Sequence, residues 1–287
     1  MKIIKQYLTE NDCYRSGRII TPTHIQVHSI GTPQPKATAL MSYWNQPGVE
    51  QMVHALIQAG GTVYEIMEQN KRSWADAGYG NDHAITFEMM EPDTIRYTNG
   101  ADFIDEDPKK TKEYVTGTYK TAVAYSAYLC KKYSFDPVGK TADGIPVIFT
   151  HNEGRLWGIS SAHVDPNQLW DKFDLTIEQF RKDVAAAMEN ENKPLEKGMK
   201  VRTINDIYWR TGVSEKEQQA GYVKYENLSD SARKKSIKVG IKAKFKKNNV
   251  VKILEVKTAW DGNVWIRVKN GWLPVVVKGK SRVQVVS

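Results

Sequence analysis

The chain has few cysteines and no long apolar run. Cys13 and Cys130 are its two thiols in 287 residues, and they lie far apart. That count excludes a disulfide-stapled scaffold, and neither cysteine has metal-ligand spacing, so both are read as plain reduced thiols. No apolar stretch approaches the roughly 20 residues a membrane-spanning helix needs, which excludes that kind of insertion. The start, Met1-Lys2-Ile3-Ile4-Lys5-Gln6-Tyr7, shows no apolar signal region and no small-residue cleavage site. The expectation is a protein without a secretory leader.

What is present begins with size and charge. A chain of 287 residues, 40% of them hydrophobic, is enough for two domains and a sizeable core. The net charge of +8 hides a split: residues 1–194 carry 20 Lys+Arg against 25 Asp+Glu, and residues 195–287 carry 21 against 8. The first part is therefore net −5 and the second net +13. Such asymmetry points to two units with different partners, the basic one facing a polyanion; a merely soluble basic domain is the plainer reading. Glu189 to Pro194 is polar and ends in proline after a helical pattern, so it reads as a linker. The division expected is 1–188 for a first domain, 189–197 for the linker and 198–287 for a second domain.

Along the first domain, residues 1–22 read as an irregular entry segment. Thr23 to Ser29 alternates as a strand, with His24 and His28 on the face opposite Ile25 and Val27. Thr38 to Asn45 reads as a short helix. Val53 to Ile57 and Thr62 to Ile66 read as two strands joined by the Gly60-Gly61 turn. Ser73 to Asp82 is a glycine-rich loop. Ala84 to Met90 is a strand, Ile145 to Phe149 is a buried strand, and Thr111 to Tyr133 and Thr176 to Met188 are helices with core-facing stripes. This order fits an α/β domain, a mixed sheet covered by helices. Beyond the linker, short apolar alternations with Gly262-Asn263 and Asn270-Gly271 turns read as a small all-β barrel. Trp209 and Trp260 are candidate groove aromatics there, with a core role an equal alternative.

Three positions could converge on a metal: His28 at a strand end before a Ser-Ile-Gly turn, His151 after the apolar run, and either Asp165 or His163 on the following loop. A catalytic zinc takes three protein ligands and leaves a fourth position open. Glu88 is a carboxylate in an apolar strand, where it must be paired, metal-bound or reactive. A structural salt bridge is the plainer reading of Glu88, as a satisfied structural imidazole is for a lone histidine.

These motifs together resemble the zinc-dependent N-acetylmuramoyl-L-alanine amidases of the type shared with peptidoglycan recognition proteins, as found in bacteriophage endolysins. The resemblance spans roughly residues 20–185 and rests on four pieces. They are Ile25-Gln26-Val27-His28-Ser29, the Trp74 to Asn81 loop, Ile85 to Pro92 with Glu88, and His151 with Ser161-Ala162-His163-Val164-Asp165-Pro166 and Trp170. The tail from about residue 198 is similar to bacterial SH3-like wall-binding domains, through Gly198 to Val201, Ile207-Tyr208-Trp209 and Asn270 to Leu273.

Carried over, the resemblance implies zinc held by His28, His151 and Asp165. It implies a catalytic carboxylate at Glu88, oxyanion stabilisation by His163, and substrate contacts at Trp74 and Asn81. Where relatives read Trp-His-Ala-Gly, this chain reads Trp74-Ala75-Asp76-Ala77-Gly78, and where several carry a catalytic tyrosine it has Val53, beside His54. The implied partner is Gram-positive peptidoglycan, with Trp209 and Trp260 as wall-binding residues of the second domain; its +13 charge would draw it to anionic wall polymers, with the peptide cross-bridge or the glycan as the alternative ligand. The implied place of action is the wall, reached from the host cytoplasm through a membrane pore. Two other classes compete. A recognition protein that binds without cutting would lack the third ligand or Glu88. A nucleic-acid binder, suggested by Arg233-Lys234-Lys235 and Lys242 to Lys247, would leave the His/Asp set unexplained. Neither nucleic acid nor membrane insertion is expected.

Overall fold

The structure, a computed structural model, describes residues 1–192, 195–214, 220–259, 262–278 and 280–286. The chain divides into two compact units, Met1–Met188 and Glu189–Ser287.

The first unit is built on a six-stranded mixed sheet. Its strands are β1 (Lys2–Lys5), β2 (His24–Ser29), β3 (Ala55–Gln58), β4 (Thr62–Glu65), β5 (Ala84–Met89) and β8 (Ile148–Thr150), in the order β1-β4-β3-β5-β2-β8. Only the β3–β4 hairpin is antiparallel. Its turn uses Gly60 and Gly61 at φ +87° and +85°, a conformation glycine adopts without steric cost. A separate hairpin, β6 (Ile95–Asn99) with β7 (Asp102–Asp105), follows β5.

Odd and even strand positions face different cores. Ile25, Val27, Ala55, Ile57, Ile85 and Phe87 form one cluster with α4 (Pro108–Tyr133) and α7 (Ile177–Asn192). From α4 come Val115, Tyr119, Ala122, Tyr125 and Leu129, and from α7 come Ile177, Phe180 and Val184. Burying each large apolar side chain contributes about 1.5–3 kcal/mol. Leu56 faces the other way, into a second cluster with Cys13 of α1 (Asp12–Ser16) and Met41 and Trp44 of α2 (Ala37–Trp44). The result is a sheet between two layers, with His28 and Glu88 on the face away from α4 and α7.

Helix boundaries follow capping chemistry. Asp107 accepts from Lys110 N at 3.2 Å and proline occupies the first turn, so α4 starts three residues before the sequence pattern suggests. Thr176 Oγ1 accepts from Gln179 N at 3.1 Å, as its spacing from Gln179 predicts. α7 then continues to Asn192, into the stretch read as linker. The entry segment is not irregular. β1 pairs in parallel with β4, Lys2 opposite Thr62 through Lys5 opposite Glu65, and α1 follows with Asn11 as its cap. The four-residue Lys2-Ile3-Ile4-Lys5 is too short to show a period, which hid it from the sequence reading.

The second unit is all-β apart from short helical turns. β9 (Lys200–Thr203), β13 (Val250–Lys252) and β18 (Val283–Val286) make one sheet. β10 (Ile207–Tyr208), β11 (Ser236–Val239) and β12 (Lys242–Phe245) make a second. β14 (Glu255–Thr258), β15 (Val264–Val268), β16 (Gly271–Val277) and β17 (Lys280–Ser281) make a third. Among the described residues the unit has one short α-helix, α8 (Asp230–Lys234).

Candidate active site

Three adjacent parallel strands end on one rim. In register, His28 of β2 lies opposite Glu88 of β5, and Val27 lies opposite Thr150 of β8. The residue after Thr150 is His151, which opens α5 (His151–Leu156) and therefore stands beside His28. α5 begins there because Thr150 Oγ1 accepts from Glu153 N at 3.0 Å while Glu153 Oε2 accepts from Thr150 N at 3.2 Å. This reciprocal pair is a capping box. Arg181 of α7 donates to both oxygens of Glu153, at 2.9 and 2.7 Å, and secures the cap. The following chain returns through Asp165, joined to Pro166 by a cis peptide bond, ahead of α6 (Asn167–Trp170).

The rim groups form a tight triangle. His28 Nδ1 and His151 Nδ1 are 3.0 Å apart. Asp165 Oδ2 is 3.1 Å from His28 Nδ1, and its Oδ1 is 3.2 Å from His151 Nδ1. All three residues are buried, at 1%, 1% and 8% exposure. A tetrahedral zinc with bonds of about 2.0–2.1 Å sets its ligand atoms about 3.3 Å apart. The triangle is therefore close to the size of one ion's coordination face, and two imidazoles with a carboxylate suit a borderline divalent cation. The rings are braced from behind: His151 Nε2 lies 2.9 Å from Ser161 Oγ, and Ser29 N donates to Asp165 Oδ2 at 3.2 Å. His28 Nε2 is buried without a partner. Burial alone would raise the Asp165 carboxyl, but hydrogen bonds from His151 and His28 outweigh it and hold the group below the usual carboxylate range.

Glu88 stands across from His28. Part of the residue is exposed, yet its Oε2 is sealed and has no hydrogen-bond partner. Burial, then the negative charges of Asp165 and Glu91, push its carboxyl well above the ordinary value. A cation bound in the triangle would offset that push and favour the ionised base.

Glu91 lies three residues beyond Glu88, within the Ile85 to Pro92 motif. It is fully buried, accepts from Gly31 N at 3.1 Å, Tyr97 Oη at 2.8 Å and Gln168 Nε2 at 3.3 Å, and is pushed up by burial to about 7. Gln168 also donates to Ser29 Oγ at 3.1 Å, so this network backs the strand end that holds Asp165.

A second network fixes the loop after β4. Asp76 Oδ2 accepts from Ser160 Oγ (2.7 Å), Gly80 N (2.9 Å) and Gln26 Nε2 (3.1 Å), and Oδ1 accepts from Gly78 N (2.9 Å) and Asn81 N (3.1 Å). Burial opposes ionisation of Asp76, but these donors lower its carboxyl pKa overall. A Cβ on Gly80 would sit 1.8 Å from Gln26 Oε1, so only glycine permits the approach. Ser161 N donates to Asp76 O at 2.8 Å, which ties this loop to the serine behind His151.

The remaining expected site residues are spread out. Asn81 is buried and its Oδ1 accepts from Ala75 N at 2.7 Å and Asp76 N at 3.2 Å, so it closes its own loop. Trp74 packs against the cluster around Leu56 and pairs its backbone with Met52. His163 is exposed, its ring 5.1 Å from that of His151, while Asp165 is the residue brought to both imidazoles. His54 is a structural imidazole. Thr86 N donates to its Nδ1 at 2.9 Å, its Nε2 meets Lys71 O at 2.8 Å, and burial lowers its pKa to about 4.

The groove role expected for Trp209 is corrected by the structure. The ring is 2% exposed, packs edge-on against Phe245 at 5.2 Å and donates from Nε1 to Ser236 Oγ at 2.9 Å. Ile207 and Trp209 share the inner side of their strand, and the residue facing outward is Tyr208. Trp260 lies outside the described residues.

A buried, cation-sized triangle beside the Glu88 carboxyl, on the rim of a mixed α/β sheet, is the equipment of a hydrolase that activates water. A family model described as N-acetylmuramoyl-L-alanine amidase matches residues 18–168. The chain belongs to this family. Among solved structures it is similar to Staphylococcus aureus hydrolase AmiA in complex with its ligand, at 20% identity and TM-score 0.49, over 66% of this chain and 83% of that one. It is also similar to the PlyG catalytic domain, at 16% identity and TM-score 0.46, over 68% and 100%. A mutant endolysin from Bacillus subtilis is 18% identical with TM-score 0.44, over 64% and 99%. No protein with a curated description matches the chain.

Proposed function

We propose that this protein is a zinc-dependent peptidoglycan amidase of the endolysin type. It would cut the amide between the lactyl group of N-acetylmuramic acid and L-alanine of the stem peptide in Gram-positive walls. The observation that carries the reading is the His28–His151–Asp165 triangle with Glu88 in register beside it. The second unit is proposed as an SH3-like wall-binding domain, and action at the wall from the host cytoplasm belongs to the same proposal. No helix among the described residues is long and apolar enough to cross a membrane.

His28 and His151 would hold zinc through Nδ1, and Asp165 through its carboxylate. When bound, zinc supplies Lewis acidity and an acidified water. Glu88 would take a proton from the attacking water as the new C–O bond forms and return it to the nitrogen of the departing L-alanine as the amide C–N bond then breaks. His163, exposed on the rim next to His151, is placed to donate to the oxygen that gains negative charge. Ser161 and Ser29 keep the His151 ring and the Asp165 carboxylate in place throughout.

The test is release of stem peptides from purified Gram-positive walls, scored as new N-terminal L-alanine, for wild type, EDTA-treated protein and Glu88→Ala. New termini that vanish with EDTA and with Glu88→Ala are expected. Wall binding by zinc-loaded protein without new termini would replace the enzyme with a recognition protein.

A further inference from the structure

With Trp209 inside the core, the second unit needs another face to meet the wall. The sheet of β10, β12 and β11 supplies one. Tyr208 pairs directly with Lys244, and Lys224 forms a bridge with Lys242, so these four side chains project from the same side of the sheet. Lys242 and Lys244 are two residues apart on β12, which spaces them about 6.6 Å along the strand. Tyr222 joins them through its bridge to Arg210 and an edge-to-face contact with Tyr208 at 5.1 Å.

The cations on this face are held in place. Lys242 Nζ sits 3.8 Å from the centre of the Tyr222 ring, and Lys244 Nζ sits 4.5 Å from that of Tyr208. The Arg210 guanidinium lies 3.8 Å from the Tyr222 ring centre as well. Among the described residues no carboxylate pairs with Lys224, Lys242 or Lys244. An aromatic ring attracts an ammonium without cancelling its charge. Lys242 and Lys244 are therefore pre-positioned and still in want of anions, which lowers the ordering cost of binding one.

We infer that this face binds a phosphodiester-linked polymer of the wall. A row of ammonium groups is a row of point charges, suited to repeated single negative charges along a flexible chain. Recognition of one planar carboxylate would favour an exposed arginine fork instead. The inference rests on the proposed wall-binding role of the second unit and needs no cutting.

The experiment is sedimentation binding of the full chain to intact Gram-positive walls and to walls stripped of phosphodiester polymers with hydrofluoric acid. The chain carries Glu88→Gln throughout, so that walls stay whole. Lys242→Gln with Lys244→Gln is expected to weaken binding to intact walls by roughly tenfold or more and to flatten its salt dependence, since fewer counterions are released. Lys246→Gln with Lys247→Gln, an equal loss of charge at exposed positions in the turn after β12, is expected to keep binding within about twofold. The full chain with no substitution in its second unit should lose affinity on stripped walls, an outcome that depends on no lysine variant's folding. Equal binding to stripped and intact walls would overturn the inference and point to peptide or glycan. So would intact-wall binding that ignores Lys242 and Lys244. Failure of the amidase reading would show instead in the chain with native Glu88, as absent L-alanine termini with wall binding untouched.

Discussion

The two units treat charge in opposite ways. In the first, the ionisable groups that matter are inside: His28, His151, Asp165 and Glu91 are all buried, and each ring or carboxylate but the Glu88 Oε2 and the His28 Nε2 is braced by named partners. In the second, the buried polar groups among the described residues are Thr203, Arg210, Ser236 and Asn263, and the lysines lie outside on strand faces and turns. Burying a charge is costly unless geometry compensates it, so a buried cluster is expensive to keep and suited to chemistry. Surface lysines cost little, act over the Debye length and suit affinity for a large, loosely ordered partner. The contrast fits the proposed division between a unit that reacts and a unit that holds.

The largest effect should come from the buried side. Glu88→Gln removes the proton carrier while keeping shape, so the rate of amide cleavage should fall about 10²–10⁴-fold. Metal content by elemental analysis should stay at the wild-type level, because Glu88 is not one of the three clustered residues. Loss of metal together with activity would reassign Glu88 to the ion site and remove the proton carrier from the scheme.

Trp209→Ala tests the other unit. Removing a fully enclosed indole from its core should cost about 3–5 kcal/mol of that unit's stability, seen as a lowered unfolding transition. Cleavage of a soluble muropeptide should be unchanged, since every rim residue lies in Met1–Met188. An exposed, wall-contacting tryptophan would give the reverse: an unaltered melt and weaker wall binding.

A smaller effect is expected at Ser161. Its hydroxyl is the partner of His151 Nε2, and outer-shell partners of this kind are worth about 10–100-fold in metal affinity. Ser161→Ala should weaken zinc binding by that range in a competition titration with a chelating dye, and activity at saturating zinc should recover most of its level. Unchanged affinity would show that the ring is oriented by the β8–α5 cap alone.

Strands with a clear period were legible in the sequence, and so were residues whose position follows from them. β2 and β5 show alternation, and His28 and Glu88 inherit their placement from it. The Thr176–Gln179 spacing located the start of α7. Asp165 and His163 could not be separated in this way, because a loop has no period and two residues suffice to turn a side chain from the interior to solvent. Asp76 and Glu91 were missed as bracing groups since the partners that tie them to the site are distant in sequence. Asp76 meets Ser160 across 84 residues, and Glu91 meets Gly31 and Gln168 across 60 and 77. Trp209 was left open between groove and core although the residue two positions before it held the answer: Ile207 is buried, and a residue two positions on shares its side.

Glu91 gives the subtlest test of how the first unit tolerates buried acid. Its folded carboxyl titrates at about 7, against about 4.3 in an unfolded chain. Between those values the folded state binds more protons than the unfolded one. The contribution is therefore fully present below about pH 4.3 and is lost as pH rises through about 7. In metal-free protein Glu91 adds a downward slope to the stability of the first unit over that window, His54 adds an upward one below about pH 6.5 because its folded value is lowered, and Glu91→Gln should leave the slope less negative by up to about 1.4 kcal/mol per pH unit. Glu88, also raised, keeps a residual slope in the variant. The depressed Asp165 carboxyl acts with the opposite sign and only at lower pH, so it does not mask the comparison. Identical slopes for wild type and Glu91→Gln would mean that Gly31, Tyr97 and Gln168 together stabilise the carboxylate enough to cancel its burial, making Glu91 a fixed anion rather than a titrating one.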